Sequence, residues 1–403
     1  MSAGHGAGDT PGPGRRSVVV AKFVPWPPDS GDKRRTLGVV RALARQGPVT
    51  VCAFAGPDED AAPLEAQGVT VHSVPLARRP RQLLSGLARA RSLTAARFWD
   101  PRLAALVRRA ADGVDTLVVE HVQLLPHARG TGAAVTVLDM HNIESSLTRR
   151  FADSRPRGAR RLVLRAEAAA LRRLESRATG VDVVAVVSEV DRALLAGVVT
   201  LPRVVLVPNA WDEPEPLPPA PDPVVSFVAL LSWAPNVDAA TWFTREVWPR
   251  VRARVPAAQL ALVGRNPAAA VRALAGPDVQ VTGTVADLTP WYARTRVAVA
   301  PLRAGGGSRL KILEALAAGR PLVATTVGAE GLEDLVGRGV TVADDPAATA
   351  EAVAALLTDP ARAAAEGRQG AHAVARDHSW AAATRPLLDA VDEVARSRDR
   401  PRP

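Results

Sequence analysis

Lys311 and Glu314 stand three residues apart behind Gly305, Gly306 and Gly307, in Pro301-Leu-Arg-Ala-Gly-Gly-Gly-Ser-Arg-Leu-Lys-Ile-Leu-Glu-Ala-Leu-Ala-Ala-Gly-Arg-Pro321. Glycine lets the backbone approach a ligand closely, and the free amides of a helix's first turn attract anions. On a helix, a three-residue spacing puts both side chains on one face. The chemistry is that of a phosphate held near the turn and a sugar hydroxyl held by a carboxylate just beyond it. An ordinary strand-to-helix loop with a solvated Lys–Glu pair is the competing reading.

Other reactive residue types also gather where strands should end. Asp139-Met-His-Asn-Ile-Glu144 places His141 just past one predicted strand, and Glu120-His121 closes another. In open α/β sheets, ligands bind outside the carboxyl ends of the strands. A helix-capping role for Asp139 or Asn142 is the alternative. Gly31 follows the first strand in Pro27-Pro-Asp-Ser-Gly-Asp-Lys-Arg34. It either faces a ligand, with Lys33 and Arg34 as phosphate partners, or belongs to a plain turn with Lys33, Arg34 and Arg35 solvated.

These residues need a scaffold, and the pattern supplies one. Short β-branched runs alternate with Ala/Leu/Arg helical stretches, which argues for parallel α/β layers. Strands are predicted at 17–23, 49–54, 69–73, 116–120, 135–139, 183–187 and 204–207, with helices such as 33–46 and 160–177 between them. Residues 208–223 are too proline-rich for helix or sheet and read as an extended linker. The alternation restarts with strands at 224–230, 259–263, 279–282, 297–300, 322–325 and 339–342. Helices are predicted at 237–254, 267–275, 288–294, 309–318, 346–358 and 360–377. Ser308 reads as the N-cap of the 309–318 helix, Gly319 as its left-handed C′ residue, and Pro321 as its stop.

The organisation predicted is a disordered leader (1–16), an N-terminal Rossmann-like domain (17–207), the linker (208–223) and a second Rossmann-like domain (224–380). A last helix (381–397) has a route back to the first domain, and 398–403 is a tail. Two such domains place a ligand cleft between the carboxyl ends of their sheets.

Composition narrows the function. At 403 residues and 47% hydrophobic content, the chain has enough apolar material for two cores. No apolar run reaches the ~18–20 residues of a membrane span, and no signal peptide opens the chain. Cys52 is the only cysteine, so a cytoplasmic home fits and a cysteine metal cluster does not. The net charge of +10 is almost all arginine, while 4% aromatic content and the absence of nucleic-acid motifs argue against nucleic acid as partner. The arginines of 149–177 have two readings. Either they border an apolar face (Leu162, Ala166, Ala169, Leu174) that docks inward, or the basic helix lies peripherally on an anionic membrane.

The second half resembles the donor-binding domain of retaining GT-B glycosyltransferases of family four (group 1). The resemblance rests on Val281-Thr-Gly-Thr-Val-Ala-Asp-Leu288, Val299-Ala-Pro-Leu-Arg303, Gly305 to Pro321 and Leu322-Val-Ala-Thr-Thr-Val-Gly-Ala-Glu-Gly-Leu332. Phe227-Val-Ala-Leu-Leu-Ser-Trp-Ala-Pro-Asn236, Val207-Pro-Asn-Ala-Trp-Asp212 and Val187-Ser-Glu189 extend it upstream.

The resemblance implies an α/β, GT-B fold with two Rossmann-like domains facing across a cleft. It implies transfer of a sugar from a nucleoside diphosphate sugar to an acceptor hydroxyl with retained configuration, and no metal or other cofactor. It casts Glu314 as the ligand of the donor ribose, Lys311 and Arg309 as diphosphate partners with Arg303 behind them, and His141 as a contact of the donor sugar. Gly31, Gly305, Gly306, Gly307 and Ser308 join the donor site. The chain departs from the family at Gly306, where an acid is expected eight positions before Glu314. It departs again at Ala229–Trp233, which lacks the usual Gly-Arg, and at Ala210 in place of a linker glycine. A nucleotide-sugar epimerase or hydrolase on the same scaffold, and a non-catalytic sugar-nucleotide-binding protein, are the rival functions.

Overall fold

The structure, a computed structural model, describes residues 14–28, 30–56, 59–76, 80–153, 156–201, 203–212, 216–304 and 310–399. The chain divides into two compact units. Unit one comprises Met1–Val186, Leu194–Val205 and Pro386–Pro403; unit two comprises Val187–Ala193 and Leu206–Arg385.

Unit one is built on β1 (Ser17–Ala21), β2 (Val49–Ala55), β3 (Thr70–Pro75), β4 (Thr116–Glu120), β5 (Val135–Met140), β6 (Val183–Val186) and β7 (Val204–Leu206). Their order across the sheet is β3-β2-β1-β4-β5-β6-β7. Val19 of β1 stands opposite Val51 and Val118, both in parallel register. Every residue of β1, β4 and β6 is buried, as expected for strands covered on both faces by helices.

Unit two repeats the plan with β8 (Val224–Val228), β9 (Gln259–Val263), β10 (Val279–Val281), β11 (Val297–Ala300), β12 (Leu322–Ala324) and β13 (Val340–Val342). The order is β10-β9-β8-β11-β12-β13, again with parallel pairings. Both sheets therefore reverse their strand order once, between β1 and β4 and between β8 and β11. A crevice at such a reversal is where α/β folds bind ligands.

Three departures from the sequence reading have local causes. The helix expected over 237–254 is split by a π segment, Phe243–Val247, between Ala234–Trp242 and Trp248–Arg254. Pro249 brings no N–H to the ladder at that point, so the regular bonding is interrupted. The helix Ala159–Glu175 buries Glu167, Ala168, Ala170, Leu171, Leu174 and Glu175, while Leu162, Ala166 and Ala169 face solvent. Of the apolar face expected to dock inward, only Leu174 does so. Two acids fix the rotation: Glu167 accepts bonds from Ser92 Oγ (2.6 Å) and the Leu93 and Thr94 amides (both 2.9 Å), and Glu175 accepts from the Ser145 amide (2.9 Å).

The third departure concerns the proline-rich segment, which in its described part is bonded onto unit two. Leu217 N donates to Ala318 O (3.3 Å), Arg320 to Pro218 O (2.6 Å), and Trp211 N to His378 O (2.8 Å). Ala210 is not among the described residues with positive φ, so the missing linker glycine carries no strain. The last helix, Trp380–Asp399, contains Pro386, where membership passes from unit two to unit one. Within unit one it pairs Asp392 with Arg15, Glu393 with Arg203 (3.0 Å) and Arg398 with Asp182 (2.6 Å).

Candidate active site

At the carboxyl edge of unit one, the ends of β1, β4 and β5 bring titratable groups together. His141 follows β5, and its Nε2 lies 2.5 Å from Glu120 Oε2 at the end of β4. Asp139, the penultimate residue of β5, receives two bonds from Arg35 on the helix Gly31–Ala44, at 2.9 Å and 2.6 Å. Thr36 on the same helix donates to Glu120 (3.3 Å). The His121 ring lies 3.7 Å from that of His141, centroid to centroid. His121 also has φ 71°, a left-handed conformation that costs a non-glycine residue of order 1 kcal/mol and that recurs at functional sites. Its amide donates to Asp139 O (2.8 Å), which ties the two strand ends.

Burial sets the protonation here. It pushes the Glu120 carboxyl up to about 7 against the pull of Arg35 and Thr36. It pushes His141 down to about 4 although Asp139 draws the other way, and it takes His121 well below its ordinary value. The Asp139 carboxyl is also raised by burial, with Arg35 opposing. Lys22, just after β1, is lowered by burial while Glu144 and Asp32 pull it back. Uncharged imidazoles therefore sit among a few charges the fold has already placed. Since Nε2 of His141 meets Glu120, Nδ1 is the nitrogen left for a ligand.

Glu120, Asp139 and His141 offer ligand atoms within 4.8 Å of one another, the make-up of a divalent-cation site. The fit is poor. Arg35 takes both oxygens of Asp139, so an entering cation has to displace a buried guanidinium.

At the reversal point of unit two, Lys311 lies on the helix Leu310–Ala317 behind β11. Its Nζ donates to Asn236 Oδ1 (2.8 Å) and stands 4.9 Å from the centroid of the Phe227 ring on β8. Asn236 Nδ2 donates to Leu230 O (2.9 Å), which fixes the amide so that its oxygen faces the lysine. Ile312, Leu313, Ala315 and Leu316 form the buried side of the helix, and Lys311 and Glu314 lie half-buried outside it. The helix ends on Gly319 (φ 74°), with Arg320 N bonded to Ala315 O and Gly319 N to Leu316 O, the paired bonds of a Schellman cap. Gly264 allows β9 to end against β8: a Cβ there meets Ala229 O at 1.7 Å.

The remaining sequence assignments separate as follows. Gly305, Gly306, Gly307, Ser308 and Arg309 lie outside the described residues. Gly31 is exposed as the first residue of its helix. Lys33 and Arg35 are not on a solvated turn: both are buried, Lys33 3.1 Å from Glu59 and Arg35 on Asp139. Arg303 is engaged by Asp238 (2.6 Å and 3.0 Å). Asp139 bonds Arg35 rather than capping a helix. Sequence reasoning missed Thr36 and Asn236, offered Arg35 only as a solvated residue, and named Glu120 and His121 only as the close of a strand. The signal present was the repetition of an acid and a histidine at two neighbouring strand ends.

Two Rossmann-like units of parallel strands, each with reactive groups at its reversal point, define an α/β protein of the GT-B class. Residues 222–359, which include Asn236, Lys311 and Glu314, match the family described as glycosyl transferases group 1. The sequence is 40% identical over 106 residues to D-inositol 3-phosphate glycosyltransferase 1 of Catenulispora acidiphila, covering 25% of this chain and 24% of that protein. The match thus spans about a quarter of that relative's length. The fold is similar to sucrose-phosphate synthase from Thermosynechococcus elongatus (TM-score 0.68, 18% identity, 95% of this chain and 100% of that one). It is similar also to TarM (TM-score 0.70, 10% identity, 94% and 99%). A third likeness is to Anabaena HepE solved with UDP and glucose (TM-score 0.66, 14% identity, 93% and 99%). At these identities the structural likeness carries the fold alone.

Proposed function

We propose that this protein is a glycosyltransferase that moves a sugar from a nucleoside diphosphate sugar to an acceptor hydroxyl with retention of configuration. The observation that carries the reading is Lys311, oriented by Asn236 and Phe227 at the reversal point of unit two, inside the segment that matches the family. In the reaction the bond from the anomeric carbon to the diphosphate oxygen breaks. The acceptor oxygen bonds to that carbon on the same face, and its proton leaves on the departing diphosphate.

Lys311 meets the leaving group as its negative charge grows, an interaction stronger in the transition state than before it. Arg309 shares that task, and the amides of Gly305, Gly306, Gly307 and Ser308 hold the phosphate and sugar. Glu314 accepts from the ribose hydroxyls, His141 contacts the donor sugar through Nδ1, and Gly31 belongs to the donor site. No metal takes part. A single cysteine among 403 residues suits a reaction in the cytoplasm. The HepE and TarM structures solved with UDP make UDP-sugars the first donors to try.

The test is a thermal-shift screen across UDP-, GDP- and ADP-sugars, followed by an assay for nucleoside diphosphate release with an acceptor panel. A bound donor raises stability by mass action. Donor-dependent stabilisation followed by acceptor-dependent release supports the reading. Release of free sugar or of an epimer without acceptor points to the hydrolase or epimerase. Stabilisation with no release from any mixture points to a binding protein.

A further inference from the structure

Among the described residues, eight large apolar side chains are exposed, and five of them fall on three helices of unit one. Leu83 and Leu84 lie on Pro80–Ala90, Leu93 opens Leu93–Arg97, and Leu162 and Val163 lie in the first half of Ala159–Glu175. Leu84 and Leu162 are each 68% exposed and Val163 55%. The three helices are tied together. Gly86 of the first lies against the second so closely that a Cβ there meets Ala96 Cα at 2.7 Å. Glu167 of the third binds the amides of Leu93 and Thr94, at 2.9 Å each. Val163 is one turn before Glu167 on the same helix, beside the outward line of Leu162, Ala166 and Ala169.

The sequence of these helices and their flanks is strongly basic. Residues 76–97 hold six arginines and no acid, and residues 149–177 hold ten arginines against three acids. Two of those acids, Glu167 and Glu175, are turned inward and buried. The third, Asp153, is shared by Arg149, Arg161 and Arg165. Apolar side chains standing clear of an arginine-rich helical surface are the pattern of a helix lying in a membrane interface, its leucines in the acyl boundary and its cations on the headgroups. A second copy of the chain fits less well. A two-fold contact sets the same patch against itself, which brings arginines against arginines.

We propose that this three-helix face of unit one docks on an anionic bilayer surface. The claim does not depend on the donor or on the reaction, so it stands or fails separately from the proposed function. The experiment is flotation of the purified full chain with vesicles of phosphatidylcholine alone, or of equal parts phosphatidylcholine and phosphatidylglycerol, at low and high salt. Binding is expected to the second vesicle only, and to weaken as salt screens it.

Leu162→Glu with Val163→Glu should abolish flotation, and Leu84→Glu should reduce it on its own. Arg157→Ala with Arg160→Ala should weaken binding by about thirtyfold. All these positions are exposed, and far-UV circular dichroism checks that each variant keeps its helices. Failure of the wild-type chain to float with phosphatidylglycerol, or equal flotation of wild type and the Leu162/Val163 variant, overturns the proposal. So does a dimer in light scattering that dissolves in the Leu162/Val163 variant while vesicles stay unbound.

Discussion

The two sheets reverse at equivalent places, yet they furnish those places differently. The β1/β4 reversal of unit one is filled by groups that answer one another: Arg35 on Asp139, Glu120 on His141, His121 stacked beside them. The β8/β11 reversal of unit two carries Lys311 on the rim of a helix, steered by a neutral amide and a neutral ring. A buried, mutually paired network resists change and holds side chains in place, whereas a half-buried cation on a helix rim lies within reach of an incoming anion. The same scaffold thus gives one end suited to positioning and another suited to meeting a charge.

The comparison breaks most visibly at Arg35. Arg35→Ala leaves a buried carboxylate without its partner, and unfolding in denaturant should show a loss of about 3–5 kcal/mol. Replacing both members of the pair by apolar residues, Arg35→Met with Asp139→Leu, should restore much of it. If Arg35→Ala leaves stability unchanged, the network is not the structural element described here. Next in size is Lys311→Ala, expected to lower kcat about 100-fold with little change in the donor KM, in steady-state assays with the donor the screen identifies. An equal effect from any exposed lysine or arginine of unit one removes the contrast between the units.

Glu314→Ala should weaken donor binding about tenfold in titration calorimetry without disturbing the fold. The smallest effect concerns pH. Glu120, at about 7 in the folded chain and 4.5 as its ordinary value, keeps a proton that the unfolded chain releases. That contribution is complete below about pH 4.5 and is lost as pH rises through about 7. His141 and His127, both lowered to about 4 by burial, act oppositely: they stabilise increasingly as pH rises from about 4 to 6.5. Glu120→Gln should therefore gain melting temperature relative to wild type as pH is raised from about 5 to 8. A difference constant across that range would show that Glu120 does not titrate there.

Much of the scaffold was legible because parallel strands buried on both faces read as runs of valine and leucine. The ends of β4, β9 and β11 coincide with the sequence reading, as do the helices Pro346–Thr358 and Pro360–Asp377, each opened by a proline at its first position. Helix phase was harder. One reading had Arg35 outward and Leu162 inward, by residue type; each does the reverse, because a bond between a carboxylate and a distant element sets the rotation of its helix: Arg35 on Asp139, and Glu167 on the Leu93 amide. Such partners lie 104 and 74 positions away in sequence, beyond any local pattern. The placement of Lys311 and Glu314 on one helix that stops at Gly319 was legible because their spacing and the helix end are local facts. Asn236 was not, because its importance is a contact across the sheet.

Unit one is interrupted in sequence by nearly all of unit two, and its last piece comes from residues 386–403. A ribosome releases the chain in order, so unit two has all its strands before Asp392, Glu393 and Arg398 exist to meet Arg15, Arg203 and Asp182. Synthesis order and assembly order are thereby opposed: the unit that begins first finishes last. A nascent chain stalled short of the final helix holds the strands of both sheets, with unit one still waiting for the contacts of its last piece.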